Sequence, residues 1–94
     1  MACAVAKSVL EVIEEERLQQ NAAKIGAHFR KELQRIDSPL IGDVRGQGLM
    51  IGVELVDEAS AGANIVPLDE ARMGAIFEAI KDRGVLLGRG RQSI

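Results

Sequence analysis

The residues most capable of chemistry in this chain are the two arginines of Gly88-Arg89-Gly90-Arg91, carried on a glycine-rich stretch near the C-terminal end. A guanidinium presents a rigid fork of donors that matches a carboxylate or phosphate, so the stretch is a candidate anion site. Arg89 is the better candidate because it lies nearer the apolar run Val85-Leu86-Leu87. On the residues alone, the plainer alternative of a solvated loop end is favoured. The glycines between Gly42 and Gly52 invite a phosphate-cradling reading, but Gly46, Gly48 and Gly52 follow the pattern Gly-x-Gly-x-x-x-Gly. A dinucleotide fingerprint needs Gly-x-Gly-x-x-Gly opening a helix, whereas this segment leads into a strand pattern. A bend with close backbone packing explains these glycines better.

Other reactive types are isolated. Cys3 has no second cysteine for a disulfide or a zinc site, and reads as a small hydrophobe. His28 stands alone on a helical pattern and reads as a surface or boundary residue. No nucleophile–base pair is recognisable. Glu54, on an otherwise apolar strand pattern, could act as a base or as an ion-pair partner, but a solvent-side or edge position accounts for it more simply. Lys7, Lys24, Lys31 and Lys81 fall on helical patterns, where an imine-forming lysine would need a desolvated pocket that a small chain can hardly build.

Composition narrows the classes further. Ninety-four residues make one domain at most, with a small core, and 47% hydrophobic with 28% charged residues lies well inside the range of chains that fold. Two phenylalanines, no tryptophan, no tyrosine and a net charge of −2 give neither a stacking platform nor a phosphate-tracking surface, so nucleic acid is not an expected partner. No apolar run approaches the roughly 20 residues needed to cross a bilayer, and no membrane association is expected. Glu11 and the run Glu14-Glu15-Glu16 spoil a targeting reading of the N-terminal residues.

The elements that must position these residues follow from periodicity. Val5, Val9, Val12 and Ile13 share one face of a helix over Ala2–Glu15, which has no capping residue at its start. Leu18, Ala22, Ile25, Phe29, Leu33 and Ile36 make a second helical stripe, ended by Asp37-Ser38-Pro39. Leu49, Ile51, Val53 and Leu55 alternate, predicting a strand over 48–56. A shorter extended piece, 41–45, is set off from it by a Gly46-Gln47-Gly48 kink. Residues 57–64 read as a surface loop. A third helix is capped by Asp69, stapled by Leu68 and Met73, and closed by Gly84, with Met73, Ile76, Phe77 and Ile80 inward. Val85-Leu86-Leu87 is then predicted as a second strand. The order αα-β-α-β indicates an α+β layer with helices on one side of a small sheet. Two strands give little independent stability, so both ends of the chain are expected to be cut from something larger.

Three segments in order carry a resemblance. They are Met1-Ala2-Cys3-Ala4 running into Val9-Leu10-Glu11-Val12-Ile13-Glu14-Glu15-Glu16, then 44–55 (Val44-Arg45-Gly46-Gln47-Gly48-Leu49-Met50-Ile51-Gly52-Val53-Glu54-Leu55), then Lys81-Asp82-Arg83-Gly84-Val85-Leu86-Leu87-Gly88. Together they resemble the C-terminal small domain of class III pyridoxal-phosphate-dependent aminotransferases. Gly42-Asp43-Val44-Arg45-Gly46 and Gly88-Arg89-Gly90 are most similar to the mitochondrial-type alanine–glyoxylate branch.

The resemblance implies that residues 1–94 are an incomplete small domain of the type I pyridoxal-phosphate transferase fold. The large domain, which holds the cofactor lysine, the pyridinium-pairing aspartate and the phosphate-binding groups, is absent from this sequence. It further implies pyridoxal 5'-phosphate in the intact parent and none bound by this chain alone. No catalytic, cofactor-binding or metal-binding residue carries over, because the family's substrate-clamping arginine is expected beyond this stretch; Arg89 is the substrate-proximal candidate on its own chemistry alone. The implied partners are the large domain of the same enzyme and a second copy in a homodimer, in an intracellular setting. A free-standing small α+β interaction or ligand-sensing module, using an exposed sheet edge, is the competing expectation.

Overall fold

A computed structural model describes residues 1–90 and 94. The elements are α1 (Ala2–Glu15), α2 (Leu18–Gln34), β1 (Ile41–Gln47), β2 (Met50–Leu55) and α3 (Glu70–Asp82). The class is α+β as expected, but the order is αα-ββ-α. The extended piece at 41–45 is a full strand that runs through the supposed kink to Gln47, and its partner begins at Met50 rather than Gly48.

The two strands pair antiparallel, Val44 opposite Val53 and Gln47 opposite Met50, with a register shift between Ile41 and Asp43. This leaves Gly48-Leu49 as a two-residue loop. Its first position has φ +56°, a left-handed conformation that glycine adopts without cost, as in the type II′ turns that match strand twist. Alternation then sorts the faces: Val44, Ile51, Val53 and Leu55 look inward, while Asp43, Arg45, Met50, Gly52 and Glu54 look outward.

Helix α2 lies on the inner face, seated by an unusually close approach. A Cβ added at Gly26 would land on the Gly48 carbonyl, so only glycine permits this separation. The residues of α2 nearest the sheet are therefore Ala22, Gly26, Arg30 and Leu33, one step round the helix from the apolar stripe. Ile25, Phe29 and Ile36 stay largely exposed. Arg30 adds a hydrogen bond from its guanidinium to the Gly46 carbonyl at 2.9 Å.

Both ends of α3 are closed as sequence chemistry predicts. The Asp69 side chain accepts from the Arg72 N–H at 3.0 Å, and Leu68 packs with Met73, which is only 1% exposed. At the other end, Gly84 takes φ +87°. Its N–H bonds to the Lys81 carbonyl at 2.8 Å, and the Val85 N–H bonds to the Ile80 carbonyl at 3.2 Å. These are the two bonds of a Schellman motif. Val85 thereby gives its backbone donor to the helix end, and residues 85–87 form no strand. Leu86 is exposed instead. The strand predicted there is a correction with a physical cause. The outer edge of β2 takes other partners: the Leu68 N–H donates to the Leu55 carbonyl at 3.3 Å, and Ile94 exchanges bonds with Val53 at 2.8 and 3.1 Å.

The core is small. Val53, Leu55, Leu68 and Met73 form its buried centre, with Leu33, Leu40, Ile41, Val44, Ile76 and Ile94 packed around them. Helix α1 contributes nothing to it, since none of its residues is buried. The radius of gyration is 17.2 Å, against about 12 Å expected for a compact chain of this length, because α1 projects from the rest. The turn into α2 is made at Arg17, the one non-glycine residue with positive φ among those described, at 51°. The Arg17 N–H bonds to the Glu14 carbonyl at 3.1 Å.

Two substitutions test this description. Gly26→Ala should destabilise the chain by about 1–3 kcal/mol in urea unfolding, because overpacking against a carbonyl outweighs the better helix propensity of alanine. A more stable variant would refute the close approach. Arg17→Gly should raise stability by about 1 kcal/mol, relieving a left-handed non-glycine residue; a thermal melt that falls would contradict the corner geometry.

Candidate functional site

The chemistry-bearing residues gather in two exposed arginine–carboxylate clusters rather than in a cleft. On the outer face of the hairpin, Arg45 reaches diagonally across the strands to Glu54 at 2.7 Å and along its own strand to Asp43 at 3.1 Å. Alternation puts all three on one face. The hydrogen bond to Glu54, followed by that to Asp43, raises the Arg45 pKa above its ordinary value. Glu54 thus lies on the outer face of the hairpin, as the plainer reading expects, and is also the ion-pair partner of Arg45.

The second cluster joins the loop after β2 to the start of α3. Arg72 meets Glu58 at 3.0 Å, Asp57 at 3.1 Å and its own cap residue Asp69 at 3.9 Å. Its pKa is also raised, chiefly by the hydrogen bond to Glu58. Within the loop, Ser60 donates its hydroxyl to the Val66 carbonyl at 3.1 Å and accepts from the Val66 N–H at 2.9 Å. For both arginines the raised value favours the folded state at every pH below the ordinary arginine value, and that contribution is lost only as pH rises through the raised one. The pairs are exposed and therefore screened by salt.

Arg89 folds back over the first turn of α3. Its guanidinium lies 3.5 Å from both the carbonyl and a carboxylate oxygen of Glu70, and 3.8 Å from where a Cβ would stand on Gly74. These distances sit at the long end for hydrogen bonds, and Glu70 is itself 93% exposed, so the tether is loose. Arg91 lies outside the described residues. Among the described residues, no other polar group converges on Arg89 to complete an anion site. Cys3 and His28 are both exposed.

Lys7, Lys24, Lys31 and Lys81 are all exposed, Lys7 pairing with Glu11 at 3.6 Å and Lys81 with Glu78. No polar or charged side chain among the described residues is buried. A pyridoxal phosphate site needs a desolvated lysine and a lined phosphate cradle, and the residues present do not fit that group. No cluster of metal-ligating side chains occurs among the described residues, and no helix is long and apolar enough to cross a membrane.

The sequence signal missed most was Arg30, whose one visible clue is its spacing of four from Gly26. Its Nε is buried without a partner, the sole side-chain atom of that kind among those described. The apolar features are more extensive than the polar ones. Ala4, Val5, Val9, Val12, Ile13 and Leu18 line an open groove of about 500 Å³ along α1. Phe29, Leu33, Ile51, Ile80, Val85 and Leu87 line a space of about 200 Å³ between the sheet and the helices.

Replacing Asp69 with Ala should cost about 1 kcal/mol of stability through the lost cap, measured by chemical denaturation. The Arg45 cluster, lacking any cap, should respond far less to Arg45→Gln. The wild-type chain should lose stability modestly as salt rises from 0.05 to 0.5 M in the manner of a surface network, estimated as roughly a Debye-length effect. Equal losses for Asp69→Ala and Arg45→Gln would contradict these roles.

The comparisons with known proteins agree with one another. The family model "Aminotransferase class-III" matches residues 1–94. Human mitochondrial alanine–glyoxylate aminotransferase 2 is 40% identical over 92 residues, covering 96% of this chain and 17% of that protein. The ornithine aminotransferase of Bacillus subtilis is 51% identical over 59 residues, covering 63% of this chain and 15% of that one. An aminotransferase of Bacillus anthracis superposes with a TM-score of 0.81 at 36% identity, over 94% of this chain and 19% of the solved one. This chain therefore spans less than a quarter of the relatives it matches, and it belongs to the class III aminotransferase family.

Proposed function

We propose that these 94 residues are a C-terminal small-domain segment of a pyridoxal-phosphate-dependent aminotransferase, whose intact form moves an amino group between an amino acid and an oxo acid such as alanine and glyoxylate. The observation that carries this is the family match over the whole chain combined with coverage of only 17% of the human relative. The exposed apolar faces of α1 and α2 support it, because Val5, Val9, Ile25 and Phe29 would be costly to leave in water and suit burial against a larger domain. The free-standing module does not explain the match.

In this reading the segment packs on the large domain of the same enzyme, helps close its active site and belongs to a homodimer. The cofactor supplies the electron sink and is held by the large domain, while the small domain contributes shape and position. The segment alone does not transaminate. Arg89 is its substrate-proximal residue. Its loose pairing with exposed Glu70 leaves the guanidinium available to a carboxylate.

Two measurements test the proposal. The purified chain, mixed with pyridoxal phosphate alone, should give no specific, stoichiometric imine absorbance, and with alanine and glyoxylate added it should form pyruvate no faster than the cofactor does without protein. Either signal would overturn the assignment of the chemistry to another domain. In the intact enzyme, Arg89→Ala should raise KM for the oxo acid about tenfold, with a smaller change in kcat, as expected for losing a charge-assisted hydrogen bond. An unchanged KM would remove Arg89 from the substrate's surroundings.

A further inference from the structure

We draw no further inference here: the strongest candidate, the open apolar groove along α1 lined by Val5, Val9, Val12, Ile13 and Leu18, carries nothing because nothing in the structure shows what covers it.

Discussion

The backbone contact between Gly26 of α2 and Gly48 of the hairpin loop is the constraint on which the rest of the fold depends. With no side chain on either residue, the helix comes down onto the loop itself. That depth lets Arg30 reach the Gly46 carbonyl and lets Leu33 join the core around Val53 and Leu55. A helix held off by even one methyl group would lift Leu33 away from a core that has few members to lose. The contact also explains a helix-interior glycine that would otherwise cost about 1 kcal/mol against alanine.

The second organising feature is α3, whose two ends are closed by different means. Asp69 and the Leu68–Met73 pair anchor its start into the core. The Schellman bonds at Gly84 and Val85 turn the chain at its end. Those same bonds withdraw Val85 from strand pairing, and among the described residues the outer edge of β2 is taken instead by Leu68, bonded to Leu55, and by Ile94, which exchanges bonds with Val53. The capping motif and the missing strand are one event seen from two sides. The apolar contact that accompanies the motif survives, with Ile80 and Val85 lining one space.

The distribution of polar and apolar surface bears on function. The charged groups form ion pairs in solvent, where each contributes little and none is desolvated enough for acid–base work. The large unspent resource is apolar: an entire helix, α1, without one buried residue. The chain belongs to the class III aminotransferases and spans a small fraction of its matched relatives.

Much of the fold was legible in local signals. The three helices, the Asp69 cap, the Leu68–Met73 staple, the Gly84 stop and the alternation of β2 are each set by residues within a few positions of one another, so periodicity and capping chemistry suffice. The class III resemblance was likewise written in short segments, above all 44–55. What the sequence could not decide was pairing at a distance. The glycines at 46 and 48 read as a kink, but Gly46 lies within β1, and Gly48 opens a hairpin loop onto which Gly26 packs closely. Val85-Leu86-Leu87 has strand composition, yet its fate depended on whether a backbone donor went to a helix carbonyl or to a ladder, and on which segments occupied the edge of β2. Arg89 was identifiable as a guanidinium on a glycine-rich stretch, but its resting partner Glu70 lies 19 residues away. By itself, the sequence determined the three helices, the closures of α3, the alternation of β2 and the family. The tertiary structure alone decided register, edge occupancy and which helix face met the sheet, because those are settled by competition among distant backbone groups for the same partners.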